Sequence, residues 1–149
     1  MARKLNVHFY NSENKSADEI AHFCFQLSQH HYDNREKIYL HVPSQAEAER
    51  LDECFWSAEP ASFLPHRLVG EMDDMPCPVV IGHNPGVSSR ADVFINLDSH
   101  HQVDILQLIN RYTTIIEFVP QGEADKLASR ERFKAYRSSG QAVNYHESF

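Results

Sequence analysis

Hydrophobic and polar positions along the chain keep switching between two rhythms. Leu5-Asn6-Val7-His8-Phe9-Tyr10 alternates with period two and predicts a first strand. Ser16, with Glu19 three positions on, has the sequence of a capping box. Ile20, Phe23, Cys24 and Leu27 follow at helical spacing, and Asp33-Asn34 ends the helix. Residues 37–42 read as a second strand closed by Pro43, after which Ser44 and Glu47 open a second capped helix running to about Trp56. In that helix Ala48, Leu51 and Phe55 are expected to face inward and Glu47, Glu49, Asp52 and Glu53 to lie mainly outside. Val79-Val80-Ile81 and residues 93–97 are short apolar strands, and Val103, Leu106 and Ile109 mark a helix. Residues 113–119 form a last strand stopped by Pro120, followed by a helix from about Ala124 to Arg137 that ends at Ser138-Ser139-Gly140. Residues 141–149 read as a loose, flexible tail.

Strands that are apolar throughout imply burial on both faces, so the alternation predicts a three-layer α/β domain with a largely parallel sheet. Residues 79–97 break the alternation, because about nine loop residues cannot hold a crossover helix. Neither an internal repeat nor a linker divides the chain, so 1–149 is taken as one domain. The 42% hydrophobic and 23% charged content exclude a disordered chain. No apolar run approaches the ~20 residues of a membrane helix, and the N-terminus lacks a secretory pattern, so a cytoplasmic location is expected. Cys24, Cys54 and Cys77 form no CxxC and read as reduced structural thiols.

A doubly wound domain invites a nucleotide site, yet the turn after the first strand, residues 10–15, has no glycine and places Glu13 where a phosphate would lie. The glycines of Gly82-His83-Asn84-Pro85-Gly86 more simply serve turns. No HExxH, zinc-spaced His/Cys cluster or GxSxG occurs. No catalytic, cofactor-binding or metal-binding residue is therefore assigned, and no cofactor is expected.

Two segments stand out. Residues 126–137 hold five of the fourteen basic residues and a single acid, Glu131, a local charge of +4 in a chain of −7 that leaves −11 elsewhere. On a helix Lys126, Arg130, Lys134 and Arg137 fall within ~80° of one another, Phe133 joins their stripe, and Arg132 points elsewhere. Such a stripe suits an acidic peptide that also offers an apolar side chain, or single-stranded nucleic acid stacked on Phe133, or merely a solvated helix face. The acidic remainder argues against nucleic acid. The second segment, residues 55–66, carries Phe55, Trp56 and Phe63 with Pro60 and Pro65, and reads equally as core packing or as an apolar partner patch.

Residues 48–53 leading into Phe55-Trp56, then Ser62-Phe63-Leu64-Pro65-His66-Arg67-Leu68 with Gly70-Glu71, closely resemble the matching stretch of DNA polymerase III chi subunits. So does Phe118-Val119-Pro120, followed at the same spacing by residues 130–137; the opening strand, Ser88-Ser89-Arg90 and the chain length agree as well. The resemblance covers nearly the whole chain. It implies a nucleotide-binding-like fold without a nucleotide site and a non-catalytic adaptor that forms a heterodimer with the psi subunit. Through psi the adaptor joins the clamp loader, and it also holds the acidic C-terminal tail of single-stranded DNA-binding protein (SSB), which ends in an apolar aromatic with a free carboxylate. Contact with DNA is then only indirect, and no membrane is involved. Carried onto this chain, Lys126, Arg130, Phe133, Lys134, Arg137 and Val119 would take the SSB tail. Trp56, Phe63, Leu64 and Pro65 would face psi or another partner. Family members often carry Tyr where this chain has Phe133, so one hydroxyl is missing here.

Overall fold

The computed structural model describes residues 5–58, 64–69, 77–83, 91–98, 100 and 105–149. Its elements in chain order are β1 (Asn6–Asn11), α1 (Ala17–Asp33), β2 (Ile38–His41), α2 (Gln45–Ala58), β3 (His66–Leu68), β4 (Val79–Gly82), β5 (Val93–Asn96), α3 (Ile105–Arg111), β6 (Thr114–Val119), α4 (Glu123–Ser138) and β7 (Val143–His146). The strands form one sheet in the order β3-β4-β2-β5-β6-β1-β7, and each pairing is parallel. β4 and β5 do not pair with each other; both flank β2, so the irregular 79–97 stretch still keeps the strands parallel.

Period-two alternation divides the strands between two cores. Ile38, Leu40, Val79, Ile81, Val93, Ile95, Ile116 and Phe118 face α1 and α2, meeting Ala21, Cys24, Phe25, Leu51 and Phe55. Val7, Phe9, Tyr39, Val80, Phe94 and Ile115 face the other way, toward Leu108, Tyr112 and Tyr136. Helices on both faces give the three layers, and two-sided burial explains why the central strands lack exposed polar positions. The α1 capping box is present in full: the Ser16 hydroxyl accepts the Glu19 N–H at 3.1 Å and the Glu19 carboxylate accepts the Ser16 N–H at 3.0 Å. At α2 the Ser44 hydroxyl accepts the Glu47 N–H at 3.2 Å. Cys24 is buried in α1, and that burial pushes its thiol pKa up. None of the described helices is long and apolar enough to cross a membrane.

Four expectations need correction. Residues 141–149 are not loose: Val143–His146 pair with β1, and Phe149 stacks on Phe23 with centroids 4.2 Å apart. Between α2 and β4, where the sequence pattern predicts no strand, β3 pairs with β4. In α3 Leu106 is 58% exposed, whereas Ile105, Leu108, Ile109 and Tyr112 form the inward stripe at the same helical spacing; Val103 lies outside the described residues. Gly82 closes β4 and serves close packing: a Cβ there would stand 2.6 Å from Tyr39 Oη and from Val69 Cγ2.

Candidate functional site

The basic helix α4 owes its orientation to two buried residues. Arg132 donates from Nε to Glu117 Oε2 at 3.1 Å and through Nη2 to the same oxygen. Tyr136 donates its hydroxyl to that oxygen at 3.2 Å, and Asn96 Nδ2 donates to Glu117 Oε1 at 2.7 Å. Burial alone would lower the Arg132 pKa, but the charge and hydrogen bonds of Glu117 outweigh it and the net shift is upward. Burial and then Glu117 push the Tyr136 phenol up. Each residue of a helix advances ~100°, so with Arg132 and Tyr136 held against the sheet, Phe133, Lys126 and Arg130 turn toward its β6-β1-β7 side.

There they line a pocket of about 300 Å³ together with Phe9, Asn11, Glu13, Val119, Ser129 and Tyr145. The Phe9 and Phe133 rings meet edge to face at 5.1 Å and form its floor. Val119 and Tyr145 continue the apolar lining across β6 and β7, while Asn11, Ser129, Lys126 and Arg130 supply polar groups. The Lys126 ammonium pairs with the Glu13 carboxylate, and that hydrogen bond raises the Lys126 pKa. An apolar floor beside two cations suits a ligand joining a hydrophobic group to an anionic one.

Of the residues expected from sequence, Val119, Lys126, Arg130 and Phe133 come together here. Arg137 stands one turn further along, its guanidinium 5.9 Å from the Phe133 centroid, and Lys134 is exposed outside the lining. Sequence reading missed Phe9, Asn11, Glu13, Ser129 and Tyr145. Ser129 was accessible in principle, three positions from Lys126 and four from Phe133 on one helical face. The others arrive through the pairing of β1 with β6 and β7.

The aromatic segment divides. Trp56 is 55% exposed, with its indole 4.3 Å from the His66 ring. The Leu64 carbonyl accepts from His66 Nδ1 at 2.7 Å, and His66 Nε2 lies 3.2 Å from Asp52 Oδ1. Leu64, expected on a partner patch, is 3% exposed and belongs to the α1–α2 core, because the chain turns it under α2 on the way into β3. Pro65 is half-buried, and Phe63 lies outside the described residues.

The profile of the family described as DNA polymerase III chi subunit, HolC, matches residues 5–144. The chain belongs to the DNA polymerase III chi subunit family. Relatives agree with that membership. The chain is 36% identical over 105 residues to the DNA polymerase III subunit chi of Haemophilus influenzae, covering 70% of each chain. It is 28% identical over 144 residues to that of Escherichia coli K12, covering 93% of this chain and 95% of the relative. Among solved structures, the crystal structure of T4 UvsW superposes with a TM-score of 0.61 at 10% identity, over 97% of this chain. The chain spans 41% of that protein's length, and the likeness is one of fold alone.

Proposed function

We propose that this chi-family chain is a non-catalytic adaptor of the bacterial DNA polymerase III holoenzyme. It receives the acidic C-terminal tail of SSB in the α4 pocket and the psi subunit on the face around Trp56. The clamp loader is thereby tied to SSB-coated DNA, with no direct grip on the DNA. The observation that carries this reading is the union of an aromatic floor, Phe9 and Phe133, with the cations Lys126 and Arg130 in one pocket. A tail ending in an aromatic and a free carboxylate offers the complement of both.

A direct nucleic-acid role fits less well. Phe133 is half-buried and already in edge-to-face contact with Phe9, and Glu13 sets a carboxylate in the pocket that would repel phosphates. The deciding experiment is a fluorescence-anisotropy titration of a labelled SSB C-terminal peptide beside the same peptide lacking its last residue. Saturable binding that needs the terminal residue is expected. Binding by neither peptide overturns the reading.

A further inference from the structure

The loop that follows β1 delivers a carboxylate into the basic pocket and is built to hold it there. Ser12 donates to the Val119 carbonyl from its backbone N–H at 3.0 Å and its hydroxyl at 2.8 Å, tying the loop to a pocket-lining residue. The Glu13 N–H donates to Asn11 Oδ1 at 3.0 Å and the Lys15 N–H to the Ser12 carbonyl at 3.1 Å, fixing the turn on either side of the acid. Glu13 and Lys126 are both partly buried where they pair.

We propose that Glu13 is an autoinhibitory competitor built into this pocket, occupying Lys126 until the carboxylate of an incoming acidic peptide displaces it. This rests on reading the pocket as a peptide site. The physical consequence is a threshold. Lys126 exchanges one carboxylate for another, so that contact alone contributes little, and Glu13 is released toward water. A ligand must add something that Glu13 lacks, namely an apolar group against Phe9 and Phe133. Anions without that anchor, inorganic phosphate among them, compete with Glu13 on charge alone and stay unbound. The pocket thus rejects isolated anions and admits peptides that couple a carboxylate to a hydrophobic side chain.

The test titrates a labelled acidic peptide ending in phenylalanine against the full chain, Glu13→Gln, Lys126→Gln and the double variant. In parallel, mass spectrometry follows the rate at which a soluble acylating reagent modifies Lys126. Glu13→Gln should tighten peptide binding by about fivefold, the scale of a partly exposed ion pair. It should speed acylation of Lys126, and it should have almost no effect on binding once Lys126 is already Gln. Unchanged or weaker binding by Glu13→Gln overturns the competitor role while leaving the peptide site intact. An equal gain in the Lys126→Gln background overturns it too, since Glu13 would then act as a remote charge. If no variant binds peptide although Lys126 acylates faster, the peptide reading itself fails, and the competitor role with it.

Discussion

Arg132 Nε lies 3.1 Å from Glu117 Oε2 under α4, so the one cation that leaves the basic stripe is spent on the interior. A buried pair of this kind adds little net stability over an apolar replacement, but losing one partner strands the other. Arg132→Ala should therefore cost about 3–5 kcal/mol in urea unfolding, and the double change Glu117→Leu, Arg132→Met far less. A loss below 1 kcal/mol for the single variant, about the scale of an exposed pair, would show that the pair does not fix α4.

Arg130 is exposed at the same pocket, and among the described residues it makes no buried ion pair of the Arg132 kind. Arg130→Ala should keep the unfolding midpoint and weaken the acidic peptide about tenfold, the scale of one charge-assisted contact. An unchanged dissociation constant would remove Arg130 from the site.

Trp56 and Leu64 make a contrasting pair near β3. Trp56→Ala should leave the fold intact and reduce binding of the psi subunit, because over half of the indole is open to solvent. Leu64→Ala should instead cost about 2–5 kcal/mol of stability as a core truncation. Urea midpoints and psi pull-down of both variants separate the two; an unfolded Trp56→Ala would place the indole in the core.

His8 and His146 tie β7 to β1 with ring nitrogens 3.0 Å apart. Burial first, then His146 and His31, lower the His8 pKa from its ordinary 6.5. The unfolded chain therefore binds the proton more readily than the folded one. Stability from His8 is present above pH 6.5 and declines as pH falls through that value toward the lower folded pKa. Urea midpoints followed from about pH 8 to about pH 5 should fall, and His8→Gln should flatten that dependence. An identical slope in the variant would assign it to other groups.

What the sequence made legible follows from how local each determinant is. The capping box at Ser16, the two-sided strands and the helical stripe of α4 are written within a few residues, and each appears where its pattern lies; at Ser44 only the hydroxyl half of the expected box is seen, the Glu47 carboxylate meeting Arg50 instead. β7 escaped notice because the alternation of Val143-Asn144-Tyr145-His146 lasts only four residues; its pairing with β1 provides its definition. β3, with three residues, is too short to show a period. The pocket is divided in the same way. Its α4 half could be read from 3.6-residue spacing, whereas Phe9, Glu13 and Tyr145 enter through strand pairings that no local window contains. Leu64 misled because an apolar residue between prolines looks the same whether it faces a partner or the core.

The β1–β7 ladder also determines when the pocket comes into being. His8 and His146 are separated by 138 positions, so this pairing closes one of the longest loops in the molecule. Contacts of such sequence separation are slow to form, since chain entropy is lost before they reward it. The Tyr145 wall therefore belongs to the late stages of folding, and a ligand seated against it would favour the closed ladder over its frayed form. In hydrogen-exchange terms, occupancy of the pocket would be registered as protection at the outermost strand of the sheet.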